Sequence, residues 1–239
     1  LRQELKSLGH VFLTESDTEV LLAAWSQWGA ESLHRLIGMF AFALFDRKDR
    51  TVTLVRDAFG IKPLFYGLTA KGFVFASEIQ VILGLREIST NLNLQRAYDY
   101  LIHGVQDIGF ETFVEGVNHL PPAHWVQIDL DDPEQPRTER WWDPNLAQTS
   151  ELSFAGAAEH LRELFLDSVR LHLRSDVPLG VALSGGIDSS AIVCGARYLE
   201  PDIDLHTFSF IGEHGSQSEE PWIDIVNSKI NAVSHKVYI

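Results

Sequence analysis

Apolar residues recur at helical spacing at the start of the chain, where Leu1, Leu5 and Leu8 share one face and Gly9 closes the turn. Phe12 and Leu13 read as a short extended piece. Ser16-Asp17-Thr18-Glu19 then has the form of a capping box, with Ser16 as N-cap and Glu19 at the third helical position. Leu21, Ala24, Trp25 and Trp28 make the stripe of the helix that follows, and Gly29 ends it. From Gly38 to Phe45 the run is apolar at every position, which predicts a strand covered on both faces. Asp46 to Arg50 is a charged turn and Thr51 to Arg56 a returning strand, a hairpin with a longer loop. Further strands are expected over Leu64–Tyr66 and Gly72–Ala76, then a helix carrying Ile79, Ile82 and Leu83. Residues 91–104 read as another helix, capped by Asn91 or Asn93, with Leu94, Ala97, Tyr98 and Leu101 turned inward.

From Asn118 to Asn145 five prolines interrupt the pattern, and only Trp125–Leu130 reads as a strand. This stretch is expected to be a linker or domain edge, closed by Trp141-Trp142 as an anchor between domains. Ser153 caps a long amphipathic helix with Phe154, Ala158, Leu161, Phe165 and Val169 inward. An apolar strand, Leu179–Leu183, breaks at Ser-Gly-Gly. A helix then begins at Ser189 with Ile192, Ala196 and Leu199 on one face. Leu205–Ile211 supplies a second strand and completes a βαβ unit with a right-handed crossover. Val237-Tyr238-Ile239 is again strand-like. The two halves differ in kind: residues 1–150 are strand-rich with flanking helices, and residues 151–239 are α/β.

With 239 residues and 45% hydrophobic content, the chain can bury one large core or two modest ones. A net charge of −14 argues against a broad nucleic-acid or anionic-membrane surface. The lone cysteine, Cys194, excludes an internal disulfide and a cysteine-rich metal site, and its apolar neighbours suit a packing role. No apolar run approaches the ~20 residues of a membrane-spanning helix, and no signal peptide is evident, so a cytoplasmic setting is expected. The chain begins at Leu1 and its one methionine is Met39, so it reads as a fragment of something longer.

The chemistry concentrates at Leu183-Ser184-Gly185-Gly186-Ile187-Asp188-Ser189-Ser190. Two glycines let main-chain N–H groups approach an anion, and the following helix aims its unpaired first-turn N–H groups at the same place. Ser184, Ser189 and Ser190 add hydroxyls. Asp188 sets a carboxylate beside the expected phosphates, where a divalent cation would offset it. The loop lacks the lysine and spacing of a Walker motif and is not G-x-G-x-x-G. It resembles the S-G-G-x-D-S-S signature of PP-loop ATP pyrophosphatases, which cleave ATP between its α and β phosphates.

Other segments extend the resemblance. Leu1-Arg2-x-Glu4-Leu5, Ser16-Asp17-Thr18-Glu19-Val20, Gly38-Met39-Phe40-Ala41-Phe42-Ala43, Arg56-Asp57-x-Phe59-Gly60-Ile61-Lys62-Pro63-Leu64 and Ala76-Ser77-Glu78-Ile79 follow in the order of class II glutamine amidotransferases. With the serine-glycine loop after them, they look like the glutamine-hydrolysing asparagine synthetase family. The resemblance implies an N-terminal-nucleophile-hydrolase-like α+β domain, an αββα sandwich, over residues 1–150. It implies the start of an α/β PP-loop domain, adenine nucleotide α-hydrolase-like, over residues 151–239.

It also implies ATP and Mg2+ as cofactors and glutamine, aspartate and ATP as substrates, and it leaves a homodimer open. Asp17 would hold the glutamine α-ammonium. Leu183 and Ile211 would meet the adenine end, Ser184, Gly185, Gly186, Ser189 and Ser190 the phosphates, and Asp188 magnesium and pyrophosphate. The family's nucleophile is an N-terminal cysteine, which this chain lacks, so no catalytic residue is assigned. The later parts of the synthetase site are missing too, and the chain alone is expected to run neither half-reaction. Glu219-Glu220-Pro221 stands where the family often has an Asp-Glu pair. A β-lactam synthetase-like ligase and a non-catalytic nucleotide- or glutamine-binding homologue are the alternatives.

Overall fold

In the computed structural model, which describes residues 1–69, 72–106, 109–212 and 218–238, the chain forms two compact units, Leu1–Leu146 and Ala147–Ile239. The first contains α1 (Arg2–Ser7), α2 (Asp17–Trp28), a 3₁₀ segment (Gly29–Arg35), β1 (Ala41–Asp46), β2 (Thr51–Arg56), β3 (Phe65–Thr69), β4 (Gly72–Ala76), α3 (Ile79–Leu83), α4 (Leu94–His103), β5 (Val117–His119), β6 (His124–Asp129) and β7 (Arg137–Arg140). The second contains α5 (Phe154–His172), β8 (Gly180–Ala182), α6 (Ile187–Leu199), β9 (His206–Ile211), α7 (Glu220–Ile230) and β10 (Val233–Tyr238).

The first unit has two antiparallel sheets, β1-β2-β6-β7 and β4-β3-β5. Alternation along the strands builds its layers. Leu54 of β2 and Val126 and Ile128 of β6 face Tyr66 of β3 and Phe73 of β4 in the core between the sheets. The opposite faces of β2 and β6 turn Val55 and Trp125 toward Leu33 and Trp25, in the 3₁₀ segment and α2. On the far side, Phe65, Val74 and Val117 pack against Ile79, Ile82 and Leu83 of α3. The order is helix, sheet, sheet, helix: the α+β sandwich expected. Each fully buried leucine, such as Leu54 or Leu120, contributes about 2 kcal/mol of burial free energy.

Three expectations change here. The Gly38–Phe45 run becomes β1 only from Ala41, and β1 is an edge strand. The helical layer covers Phe40 and Phe42, while Ala43 and Phe45 are exposed. The segment 118–145 is no linker: β6 lies between β2 and β7, and β5 pairs with β3. Trp141 is tied within the first unit, stacking on Phe40 with ring centroids 6.1 Å apart and donating its Nε1–H to the Arg56 carbonyl at 3.1 Å. In α4, capped by Asn93, the apolar stripe faces outward, with Leu101 77% exposed. The helix instead turns the Arg96–Asp99 ion pair inward, at 2.6 Å.

The second unit is a parallel sheet, β10-β9-β8, with β9 central. Its core joins Val169 of α5, Val193 and Ala196 of α6, and Ile223 and Ile230 of α7 to Leu183, Leu205 and Ile211. Ser153 caps α5 by accepting the Gly156 N–H at 3.2 Å. Only the later turns of α5 are packed; Phe154 is 92% exposed and Leu161 is exposed as well. In α6 the buried face is Val193 and Ala196, and Ile192 lies outside it. Cys194 packs at the edge of this core. Ile239 lies outside the described residues.

Candidate functional site

The serine-glycine loop sits where β8 ends and α6 begins. Gly185 has φ of +82°, a conformation L side chains avoid, and a Cβ there would lie 3.1 Å from the Glu219 carbonyl oxygen and 3.3 Å from Trp222 Cβ. Glycine is required twice over, by the turn and by the approach of the first turn of α7. Gly186 is the N-cap of α6, which starts at Ile187, two residues before the expected Ser189. The N–H of Ser190 makes the first bond of the helix, to the Gly186 carbonyl at 3.1 Å.

The N–H groups of Gly185, Ile187, Asp188 and Ser189 have no acceptor among the described residues. Those of Ile187, Asp188 and Ser189 are the free donors of a helix N-terminus, and that of Gly185 lies in the turn before it. The others are occupied: Ser184 N–H donates to Ser189 Oγ at 3.2 Å and Gly186 N–H to Ser184 Oγ at 3.3 Å. The Ser184 and Ser189 hydroxyls lie 3.1 Å apart, and Ser189 Oγ donates to the Gly186 carbonyl at 3.2 Å. Ser190 Oγ is buried without a partner among the described residues. Asp188 is exposed in the first turn of α6, also with no partner among them.

Leu183 and Ile211 sit at the carboxyl ends of the neighbouring parallel strands, the edge where α/β sheets bind ligands. Their side chains are 1% and 2% exposed and belong to the core. The Leu183 N–H donates to the Phe208 carbonyl at 2.9 Å, and its carbonyl accepts from the Ser209 hydroxyl at 2.7 Å. What these two residues can offer a ligand is main chain, not apolar surface. Among the described residues no cluster of three or more potential metal-binding side chains occurs. A metal at Asp188 would take one carboxylate oxygen from the protein and the rest from phosphates and water, which is ordinary for magnesium.

Asp17 is in the first unit, at the first helical position of α2, exposed and without a partner among the described residues. The expected capping box is rearranged. Ser16 Oγ accepts from Thr18 N–H at 3.2 Å, one position earlier than the box requires. Glu19 does not return to the Ser16 amide. It accepts from the N–H groups of Leu13 and Thr14, both at 2.8 Å, and from the Thr14 hydroxyl at 2.7 Å. These bonds, led by Leu13, hold its carboxyl below the ordinary glutamate range.

Residues 1–142 match the glutamine amidotransferase domain family, and residues 160–239 match the asparagine synthase family. The chain belongs to the glutamine-hydrolysing asparagine synthetase family. It is 32% identical to asparagine synthetase [glutamine-hydrolyzing] 3 of Bacillus subtilis, with 100% of this chain and 40% of the relative covered. A putative asparagine synthetase of Mycobacterium bovis is 35% identical over 98% of this chain and 36% of its own length. Another, from Methanocaldococcus jannaschii, is 32% identical over 94% of this chain and 43% of its own length. The chain thus spans less than half the length of the relatives it matches.

Arg56-Asp57 belongs to one of the amidotransferase-like motifs, and the pair has a structural task that the motif alone does not reveal. Asp57 is 1% exposed and accepts four main-chain N–H bonds, from Phe40 at 3.3 Å, Phe59 at 3.1 Å, and Ile61 and Lys62 at 3.0 Å. Arg56 donates to the carbonyls of Lys62 at 2.8 Å, Leu120 at 2.6 Å and Gly60 at 2.7 Å. Adjacent opposite charges thereby fix the 57–63 loop through its backbone. The available signal was an Arg-Asp step at a strand end, directly before a glycine-proline turn.

Proposed function

We propose that this chain is part of an ATP-dependent asparagine synthetase that takes its nitrogen from glutamine. The observation that carries the reading is the set of free main-chain amides at Gly185, Ile187, Asp188 and Ser189, on the same chain as an amidotransferase unit. Four unpaired donors, one in a glycine turn and three in the first turn of the helix after it, suit a polyphosphate. The exposed Asp188 and the orphaned Ser190 hydroxyl suit its oxygens and its cation. Bound Mg2+ would offset charge on the departing pyrophosphate.

On this reading the aspartate side-chain carboxylate attacks the α-phosphorus of ATP, pyrophosphate leaves, and β-aspartyl-AMP forms. Ammonia then displaces AMP to give the amide. The chain's own part is to bind and orient. The amides and the hydroxyls of Ser184, Ser189 and Ser190 grip the phosphates, Asp188 holds the cation, and the main chain of Leu183 and Ile211 borders the adenine end. Asp17 holds the glutamine α-ammonium in the first unit. Residues 1–150 would be the glutaminase domain and residues 151–239 the synthetase domain. The acidic charge suits small substrates rather than nucleic acid, and the lone cysteine suits the cytoplasm. Among the described residues no helix is long and apolar enough to cross a membrane. A homodimer completes the reading.

The test is pyrophosphate release in the protein that carries this chain. Asp188→Asn should abolish aspartate-dependent release while leaving the thermal midpoint unchanged. Unchanged release removes Asp188 from the site. Release supported equally by other carboxylates would instead make the protein an amide-forming ligase with a different acceptor.

A further inference from the structure

The segment before α2 is an exposed loop held by two charged side chains from outside it. Val11 and Leu13 are more than four-fifths exposed, so packing does not fix the loop. Arg2, in α1, donates to the Thr14 carbonyl at 2.6 Å and to the Ser16 carbonyl at 2.8 Å. Its guanidinium lies 4.8 Å over the Phe12 ring and 3.8 Å from the Glu15 carboxylate. Glu19 grips the same loop from the other side through Leu13 and Thr14. The Thr14 hydroxyl links the two by donating to Glu19 and accepting the Ser16 N–H at 3.2 Å.

Charged groups bonded to main chain are among the stronger hydrogen bonds of an exposed segment, and here they converge on residues 13–16. The next residue is Asp17, whose carboxylate no described residue engages. A loop without a packed core has no evident need of such rigidity for stability. A carboxylate that must meet an ammonium in one orientation does need it, because a misplacement of about 1 Å is costly in a binding site.

We infer that Arg2 and Glu19 are positioning residues for Asp17, setting the direction of its carboxylate for the α-ammonium of an amino-acid ligand. This rests on the reading of Asp17 as the glutamine anchor. Neither residue touches the ligand. Arg2 fixes the carbonyl side of the loop and Glu19 the amide side, so loss of either lets the start of α2 rotate.

The experiment compares binding of L-glutamine with glutaramate, the same molecule without its α-amine, by calorimetry on the protein carrying this chain. Asp17→Asn should abolish the preference for L-glutamine. Arg2→Met and Glu19→Gln should each reduce it about ten-fold, the equivalent of one charge-assisted hydrogen bond, with glutaramate affinity unchanged. In the Asp17→Asn background the same two substitutions should change nothing further. Arg2→Lys, which keeps the charge, should retain part of the preference.

A preference intact in both single variants, but lost in Asp17→Asn, would overturn the positioning role and spare the anchor reading. A preference intact in Asp17→Asn would overturn the anchor reading itself. Should Arg2→Met unfold, Glu19→Gln, nearly isosteric and at a half-buried position, decides the matter alone.

Discussion

The hydroxyl of Ser189 stands 3.2 Å from the amide nitrogen of Ser184 and 3.1 Å from the Ser184 hydroxyl. One side chain on the first turn of α6 thus bridges the loop back to the end of β8, while the amides of Gly185, Ile187 and Asp188 between them have no acceptor among the described residues. A bound phosphate would take over these hydroxyls as well as the amides. Ser189→Ala is therefore expected to weaken nucleotide binding about ten-fold, with a stability change of about 1 kcal/mol or less. Equilibrium binding of a non-hydrolysable ATP analogue measures the first and urea denaturation the second. Tighter binding by the variant would recast Ser189 as a plug.

Asp57 is the buried charge on which the 57–63 loop closes. Asp57→Asn keeps the volume but replaces one oxygen by an NH2 that faces main-chain donors instead of accepting from them. A destabilisation of about 2–4 kcal/mol is expected, because unsatisfied buried amides remain. Chemical denaturation measures it. A loss below about 0.5 kcal/mol would mean that the four bonds are readily replaced by water.

Tyr66 lies between the two sheets, and burial pushes its phenol up to about 12 from 10.0. A raised value in the folded state means that its contribution to stability is complete below the ordinary tyrosine value and is lost as pH rises toward about 12. Ultraviolet titration of the native protein should show a late-ionising tyrosine that disappears in Tyr66→Phe. Ionisation of every tyrosine near the ordinary value would contradict the closed inter-sheet core.

Glu19 behaves in the opposite sense. Its carboxyl is held down by Leu13 and Thr14, so the loop contacts are complete above the ordinary glutamate value and are lost as pH falls through the lowered one. Nuclear magnetic resonance of the Leu13 and Thr14 amides should show their shifts moving together over that acidic window. Glu19→Gln should remove the transition. Amides that titrate with the ordinary glutamate midpoint would show that the bonds do not persist in solution.

Several elements were legible because their causes are local. Thr51–Arg56 and Gly72–Ala76 run over the expected residues, each bounded by charge or glycine. Asn93 and Ser153 cap their helices through their own side chains. The α4 stripe faces the opposite way from the expectation: amphipathic spacing marks two faces but cannot say which one a distant part of the chain will cover. The strand expected at Trp125–Leu130 is β6, but the proline-rich text concealed β5 and β7, and the place of β6 beside β2 depends on a pairing some seventy residues apart in sequence.

For the sites the division is similar. The residues alone determined that a strand must break at Ser184 into a glycine turn and then a helix, because paired glycines free the backbone to turn and a helix start leaves its first amides free. The tertiary structure decided which of those amides remain open, that Leu183 and Ile211 turn their side chains into the core, and that Glu19 grips Leu13 and Thr14 in place of its own cap. Backbone sterics act over a few residues and are written in their order. Burial and hydrogen-bond partners depend on what the rest of the chain brings alongside.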